Sequence, residues 1–154
     1  MGNKRRGKIL AVCTSSTRGV AKTPVEEIEI VVGYGIRGDA HAGHPTRQVS
    51  LLADESAEVM RQREVEIGPG ALGENVVTQG IVLKDLPTDC MLRIGKDVAL
   101  VVSEVGKQQQ EPNAIQAAVG DSIMLTEGVF CRVIEGGRVR PGDRIEAAPA
   151  GNSD

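Results

Sequence analysis

Three polar side chains crowd one glycine-bounded loop. Asp39, His41 and His44 lie in Gly38-Asp39-Ala40-His41-Ala42-Gly43-His44, and the two histidines are the only ones in the chain. The spacing Asp-x-His-x-x-His can supply carboxylate and imidazole ligands to a metal. No fourth ligand stands nearby and no helix aligns the imidazoles, so the reading preferred here is a loop that lines a pocket, with no metal and no catalytic residue assigned. Such groups are costly to bury without partners. Just upstream, Gly33-Tyr34-Gly35-Ile36-Arg37-Gly38 is a literal G-x-G-x-x-G. A dinucleotide fingerprint needs a helix to open there, so that its amides meet the pyrophosphate. Gly43 and Pro45 would break that helix in its first turns, and the glycines are read as a tight, irregular loop.

Downstream, Arg47-Gln48-Val49-Ser50-Leu51-Leu52 alternates polar and apolar residues as a half-buried strand does. Arg47 has the forked guanidinium suited to phosphate, and a plain surface arginine at a strand end fits the sequence equally well. Cys13, Cys90 and Cys131 are an odd count without a Cys-x-x-Cys pair, which argues against a disulfide framework and a structural zinc site. Cys131 shares a face with Val129 and Val133, and Cys13 sits in a similar apolar run, so both read as core residues. Cys90 follows Thr88-Asp89 and reads as the exposed thiol of the three.

The elements that must position these residues are short. Lys8 to Thr14, Val25 to Val32, Arg47 to Leu52, Asn75 to Thr78, Met91 to Ile94, Val98 to Val105 and Val129 to Ile134 read as strands. Turn signals stand between them at Gly95-Lys96-Asp97, Gly120-Asp121, Gly136-Gly137 and Pro141-Gly142-Asp143. Many short strands without alternating helices predict a mainly β protein, a barrel or sandwich. One helix is predicted over Asp54 to Glu64, with Asp54 able to cap it, and one further turn over Asn113 to Ala118. The expected organisation is a flexible start over 1–7, one domain over 8–147 and a flexible tail over 148–154.

Composition narrows the function classes. The net charge of −3 gives no footprint for nucleic acid. Tyr34 and Phe130 are the only aromatic residues, so stacking platforms for single strands are nearly absent. Lys4, Arg5, Arg6 and Lys8 are read as a solvated basic terminus. No apolar run reaches the roughly 18 residues a spanning helix needs. The start has no apolar h-region, and Arg6 stands where a myristoylation motif wants Ser or Thr. No membrane and a cytoplasmic location are expected.

Gly38 to Gly43, Arg47 to Leu52 and Gly73-Glu74-Asn75-Val76-Val77-Thr78 together resemble the signature stretches of the MOSC family, the domain that ends molybdenum-cofactor sulfurases. Leu92-Arg93-Ile94-Gly95, Gly106-Lys107, Gly120-Asp121, Glu127-Gly128-Val129-Phe130 and Val139-Arg140-Pro141-Gly142-Asp143 agree in order and spacing, so the resemblance runs from about Lys8 to Glu146. It is closest to the short, stand-alone bacterial type. The resemblance implies a MOSC-type β-barrel with one or two short helices and a loop-built pocket for molybdenum cofactor (molybdopterin). Arg47, Ser50, Asn75 and Lys107 would line that pocket, with Asp39 and His41 at its floor. Arg47 and Lys107 together would hold the phosphate, and loss of Arg47 would weaken binding while barely moving stability. Partners would be cofactor-biosynthesis or sulfur-donor proteins.

One departure stands out. Where similar proteins carry cysteines after the Gly106-Lys107 pair, this chain has Gln109 and Asn113. A carboxamide cannot form a persulfide and is a far poorer molybdenum ligand than a thiolate. The resemblance therefore implies binding or handling of the cofactor during its maturation, with Gln109 at the carrier position. The alternatives are sulfur transfer, molybdenum-dependent reduction of N-hydroxylated compounds, or a non-catalytic module that docks on a biosynthetic partner.

Overall fold

A computed structural model describes residues 5–17, 21–62, 68–105 and 128–148. In chain order the strands are β1 (Arg6–Thr14), β2 (Thr23–Val25), β3 (Ile28–Val31), β4 (Gly35–Ile36), β5 (Val49–Ala53), β6 (Val76–Gln79), β7 (Met91–Ile94), β8 (Val98–Val105), β9 (Val129–Glu135), β10 (Gly137–Val139) and β11 (Arg144–Ala147). Helix α1 (Asp54–Arg61) joins β5 to β6, and a single 3-10 turn covers Leu83–Asp85.

Seven strands pair in the order β11-β7-β8-β9-β5-β6-β1, and a β1–β11 pairing closes the ring into a barrel. Closure is what removes exposed edges from so short a set of strands. Strand β1 does three jobs along its length: it pairs with β11 at Arg6–Lys8, with β6 through its middle, and with the edge strand β2 at Val12–Thr14. The β5–β6 pair is parallel, which requires a crossover, and α1 supplies it. Asp54 and Glu55 in the first turn of α1 and Arg61 in the last complement the helix dipole. Glu55 also accepts a hydrogen bond from the Gly80 N–H at 2.8 Å, tying the helix to the end of β6.

Strand alternation fills the barrel. Val49, Leu51 and Ala53 of β5, Val98, Leu100 and Val102 of β8, and Val129, Cys131 and Val133 of β9 share one apolar cluster. Truncating Leu51 or Leu100, both fully buried, would cost about 2–5 kcal/mol. The alternate residues face outward but are not all wet. Ala11, Cys13 and Val77 form one small outer cluster, and Leu52, Phe130 and the partly buried Leu72 form another. A three-stranded sheet, β10-β3-β4, adds Ile28, Ile30, Ile36 and Val139 to the main core.

The mainly β expectation is met, and strands form at the predicted positions with shifted ends. The run Val25 to Val32 is not one strand. It divides at Glu26-Glu27 because β2 stays on the barrel edge while β3 crosses to the small sheet. Gly137 is not a turn residue but the first of β10, and a Cβ at Gly136 would stand 2.4 Å from the Ile30 carbonyl oxygen. Strand β1 starts at Arg6, inside the stretch read as a terminus, because Arg6 pairs with Glu146. No helix opens at Gly33 to Gly38; the chain turns through β4 instead. Asp54 lies in the first turn, where its carboxylate pairs with Arg61. The predicted turn over Asn113 to Ala118 and the end of the predicted helix at Glu64 lie outside the described residues. Among the described residues no helix is long and apolar enough to cross a membrane.

Candidate functional site

Of the residues singled out from the sequence, Asp39, His41, Arg47, Ser50 and Asn75 fall among the described residues. Asp39 is the most constrained. Its Oδ1 accepts from Lys22 Nζ at 3.0 Å and from the Ser15 N–H at 3.0 Å, and its Oδ2 from the His41 N–H at 3.0 Å. His41 Nδ1 lies 3.6 Å from the same Oδ2, too long for a hydrogen bond, and has no other partner among the described residues. Burial by itself would push the Asp39 carboxyl up. The hydrogen bonds from His41, Lys22 and Ser15 outweigh it and hold the group well below the usual carboxylate range. Lys22 is equally sealed, so the pair forms a buried salt bridge under the loop.

Lys22 also connects this cluster to the next. Its N–H donates to the Gly70 carbonyl at 2.8 Å, and a Cβ on Gly70 would stand 2.2 Å from the Lys22 carbonyl oxygen. With φ at +84°, Gly70 is a position only glycine fits. The buried Glu74 carboxylate accepts from the Gly70 and Leu72 N–H groups at 2.9 and 3.1 Å, closing the loop on itself. Burial still dominates there and pushes the Glu74 carboxyl up.

Ser50 and Asn75 are brought together, as a clasp. Asn75 Oδ1 accepts from the Ser50 N–H at 3.0 Å and from Ser50 Oγ at 3.1 Å, and Asn75 Nδ2 donates to the Cys13 carbonyl at 3.1 Å. The side chain thus spans β5 and β1 where β6 begins, and both residues are buried.

Arg47 precedes β5 by two residues and is not a free strand-end arginine. Its Nε and Nη2 donate to Glu104 at 2.8–3.1 Å, and its guanidinium lies 4.8 Å from the Phe130 ring centroid. Hydrogen bonding to Arg47 lowers the Glu104 carboxyl. His44 sets the approach: its Nδ1 accepts from the Thr46 and Arg47 N–H groups at 3.0 and 2.9 Å, so its proton sits on Nε2. Gln48 is structural, donating to the His44 carbonyl at 3.0 Å and accepting from the Val133 N–H at 3.0 Å.

Asp39 and His41 thus meet at one carboxylate, Ser50 and Asn75 clasp each other, and Arg47 rests on Glu104 and Phe130, while Lys107 and Gln109 lie outside the described residues. Sequence reading missed Lys22, Glu74 and Glu104 as partners. Only Glu104 left a signal, because it interrupts the inward series Val98, Leu100, Val102. Among the described residues no group of His, Cys, Asp or Glu is arranged to hold a metal. The open depression lined by Arg6, Gly7, Arg144, Ile145 and Glu146 lies on the β1–β11 seam and contains none of these residues.

All three cysteines are free. Burial, with Glu74 nearby, pushes the Cys13 thiol up to about 12. Cys131 is fully buried and raised by the same cause. Cys90, half-buried, is raised as well.

Solved structures with this fold include the YuaD protein from Bacillus subtilis, at 22% identity and a TM-score of 0.70, with 96% of this chain and 98% of that one covered. YiiM from Escherichia coli matches at 21% identity and a TM-score of 0.64, covering 96% of this chain and 72% of that one. YiiM from Geobacillus stearothermophilus matches at 18% identity and 0.62, covering 94% and 74%. At these identities the likeness is one of fold. A comparison with curated proteins gives no significant match. The MOSC domain itself matches residues 38–146, which span the Asp39 loop, the Ser50–Asn75 clasp and the strands that close the barrel. On that match the chain belongs to the MOSC domain family.

Proposed function

We propose that this MOSC protein binds molybdopterin or molybdenum cofactor and holds it during cofactor maturation, without covalent sulfur chemistry of its own. The observation that carries the second half is the state of the thiols. A persulfide carrier needs an accessible thiolate, whereas burial raises all three cysteines here and position 109 is glutamine. The described donors suit the anionic end of such a cofactor and not its metal. Arg47 is a fork able to grip phosphate, and its Nη1 makes no hydrogen bond among the described residues. No described thiolate is available as a soft ligand for molybdenum. When bound, the cofactor would supply the redox and sulfur chemistry; the chain's own contribution is to bind and orient it. A cofactor-biosynthesis protein is the expected donor or recipient.

The test is to express the protein in a molybdenum-replete host, release and oxidise any pterin, and read its fluorescence. Near-stoichiometric pterin supports the reading, and none would favour a module that only docks on a partner. Incubation with a cysteine desulfurase and labelled cysteine should leave at most substoichiometric label. Stoichiometric, reductant-labile label on Cys90 or Cys131 would restore sulfur carriage.

A further inference from the structure

The Arg47–Glu104 pair rests on a departure from strand geometry. Strand β8 points Val98, Leu100 and Val102 into the barrel, and strict alternation would aim the next even residue, Glu104, into the core as well. The register with β9 slips between Val102, opposite Cys131, and Glu104, opposite Phe130, which leaves Ser103 as an extra residue. Bulges re-aim side chains in this way. Ser103 fixes the bulge, its single hydroxyl proton shared between the Thr46 and Phe130 carbonyls. The result is that Ser103 and Glu104 both leave the core and Glu104 arrives beside Arg47, where Thr46 Oγ1 also donates to it at 3.3 Å.

Glu104 takes the Nε–Nη2 side of the guanidinium, the edge suited to side-on bidentate capture of a carboxylate. Phe130 backs the guanidinium at 4.8 Å and restricts its swing. An anion that approaches Arg47 therefore meets a cation already neutralised by a carboxylate only 2.8 Å away. The pair is partly exposed, at 38% and 26%, so solvent and ligands can reach it.

We propose that Glu104 is a specificity-determining residue, a tethered carboxylate that an anionic ligand must displace or out-compete at Arg47. A monocarboxylate ligand offers only what Glu104 already gives and must also be immobilised. A dianionic phosphate that displaces Glu104 gains about twice the Coulomb attraction to Arg47 that a monocarboxylate gains, so exchange at Arg47 favours phosphomonoesters over carboxylates. This deepens the cofactor-binding reading and rests on it only for the identity of the natural ligand.

The experiment titrates the full-length protein with inorganic phosphate, and separately with acetate, at constant ionic strength, following the Arg47 Nε–H resonance by NMR. Wild type should respond to phosphate and not measurably to acetate. Glu104→Gln keeps an acceptor for Arg47 and removes the charge, so phosphate should bind about tenfold more tightly or better, and acetate should become detectable. Arg47→Lys in the Glu104→Gln background should lose most of the gain. Equal phosphate affinity in wild type and a folded Glu104→Gln, or an Arg47 resonance that phosphate never moves, overturns the proposal. Phosphate exchange at Arg47 in a protein that retains no pterin would sink the cofactor reading and leave this one standing.

Discussion

Lys22 Nζ stands 3.0 Å from Asp39 Oδ1 with both side chains shut away from solvent, at 1% and 0% exposure. The pair joins the end of the β1–β2 connection to the loop that carries both histidines. A buried ion pair is weak evidence of net stabilisation, because desolvation opposes the attraction. Removing one member is another matter, since the other charge stays buried. Lys22→Met should lower unfolding free energy by about 3–5 kcal/mol, read from urea denaturation. Replacing both, as Lys22→Met with Asp39→Leu, should recover part of that loss; a single variant as stable as wild type would show that the loop does not depend on the pair.

Acid should act on the same group. The folded Asp39 carboxyl is depressed, so its contribution is present above its unfolded value of about 3.9 and is lost as pH falls through the folded one. Glu74 runs the opposite way. Its folded carboxyl is raised, so its contribution is present below about 4.3 and is lost as pH rises through the folded value. The urea midpoint should therefore rise modestly on mild acidification from neutral pH and then fall steeply below about pH 4. Asp39→Asn should flatten the steep limb, and an unchanged limb would assign acid sensitivity elsewhere.

Asn75→Ala removes the acceptor of the Ser50 N–H and the donor to the Cys13 carbonyl, all in a fully buried position. Each orphaned buried group costs about 1–3 kcal/mol, so thermal denaturation should show a loss of at least about 2 kcal/mol. A loss of pterin binding in this variant would count for a ligand role only if the fold survived.

Arg47→Ala should also destabilise, against the expectation drawn from sequence. It breaks the bidentate pair with Glu104 and uncovers Phe130, and partial exposure limits the loss to about 1–2 kcal/mol. Arg138→Ala is the control: its pair with Glu27 is largely exposed, so the change should stay within about 0.5 kcal/mol. If the two variants lose equal stability, the Arg47 pair contributes no more than a surface contact.

Periodicity carried the strands. Period-two runs such as Val98 to Val102 and Val129 to Val133 bury one face whatever their partners, so they were legible one segment at a time, and Cys131 with them. The glycine and proline that follow the Gly33 to Gly38 run excluded a dinucleotide site for equally local reasons. The ordered motifs also put Asp39, Arg47, Ser50 and Asn75 in one group, of which the fold joins Ser50 and Asn75 directly. What those side chains do is decided by partners far along the chain. Lys22 meets Asp39 across 17 positions, Asn75 meets Ser50 across 25, and Glu104 meets Arg47 across 57. No local pattern specifies such a partner, because each pairing depends on strand order and barrel closure. That is why Arg47 read as a free cation in the sequence, and why only the bulge in β8, a product of register with β9, reveals that a carboxylate already holds it.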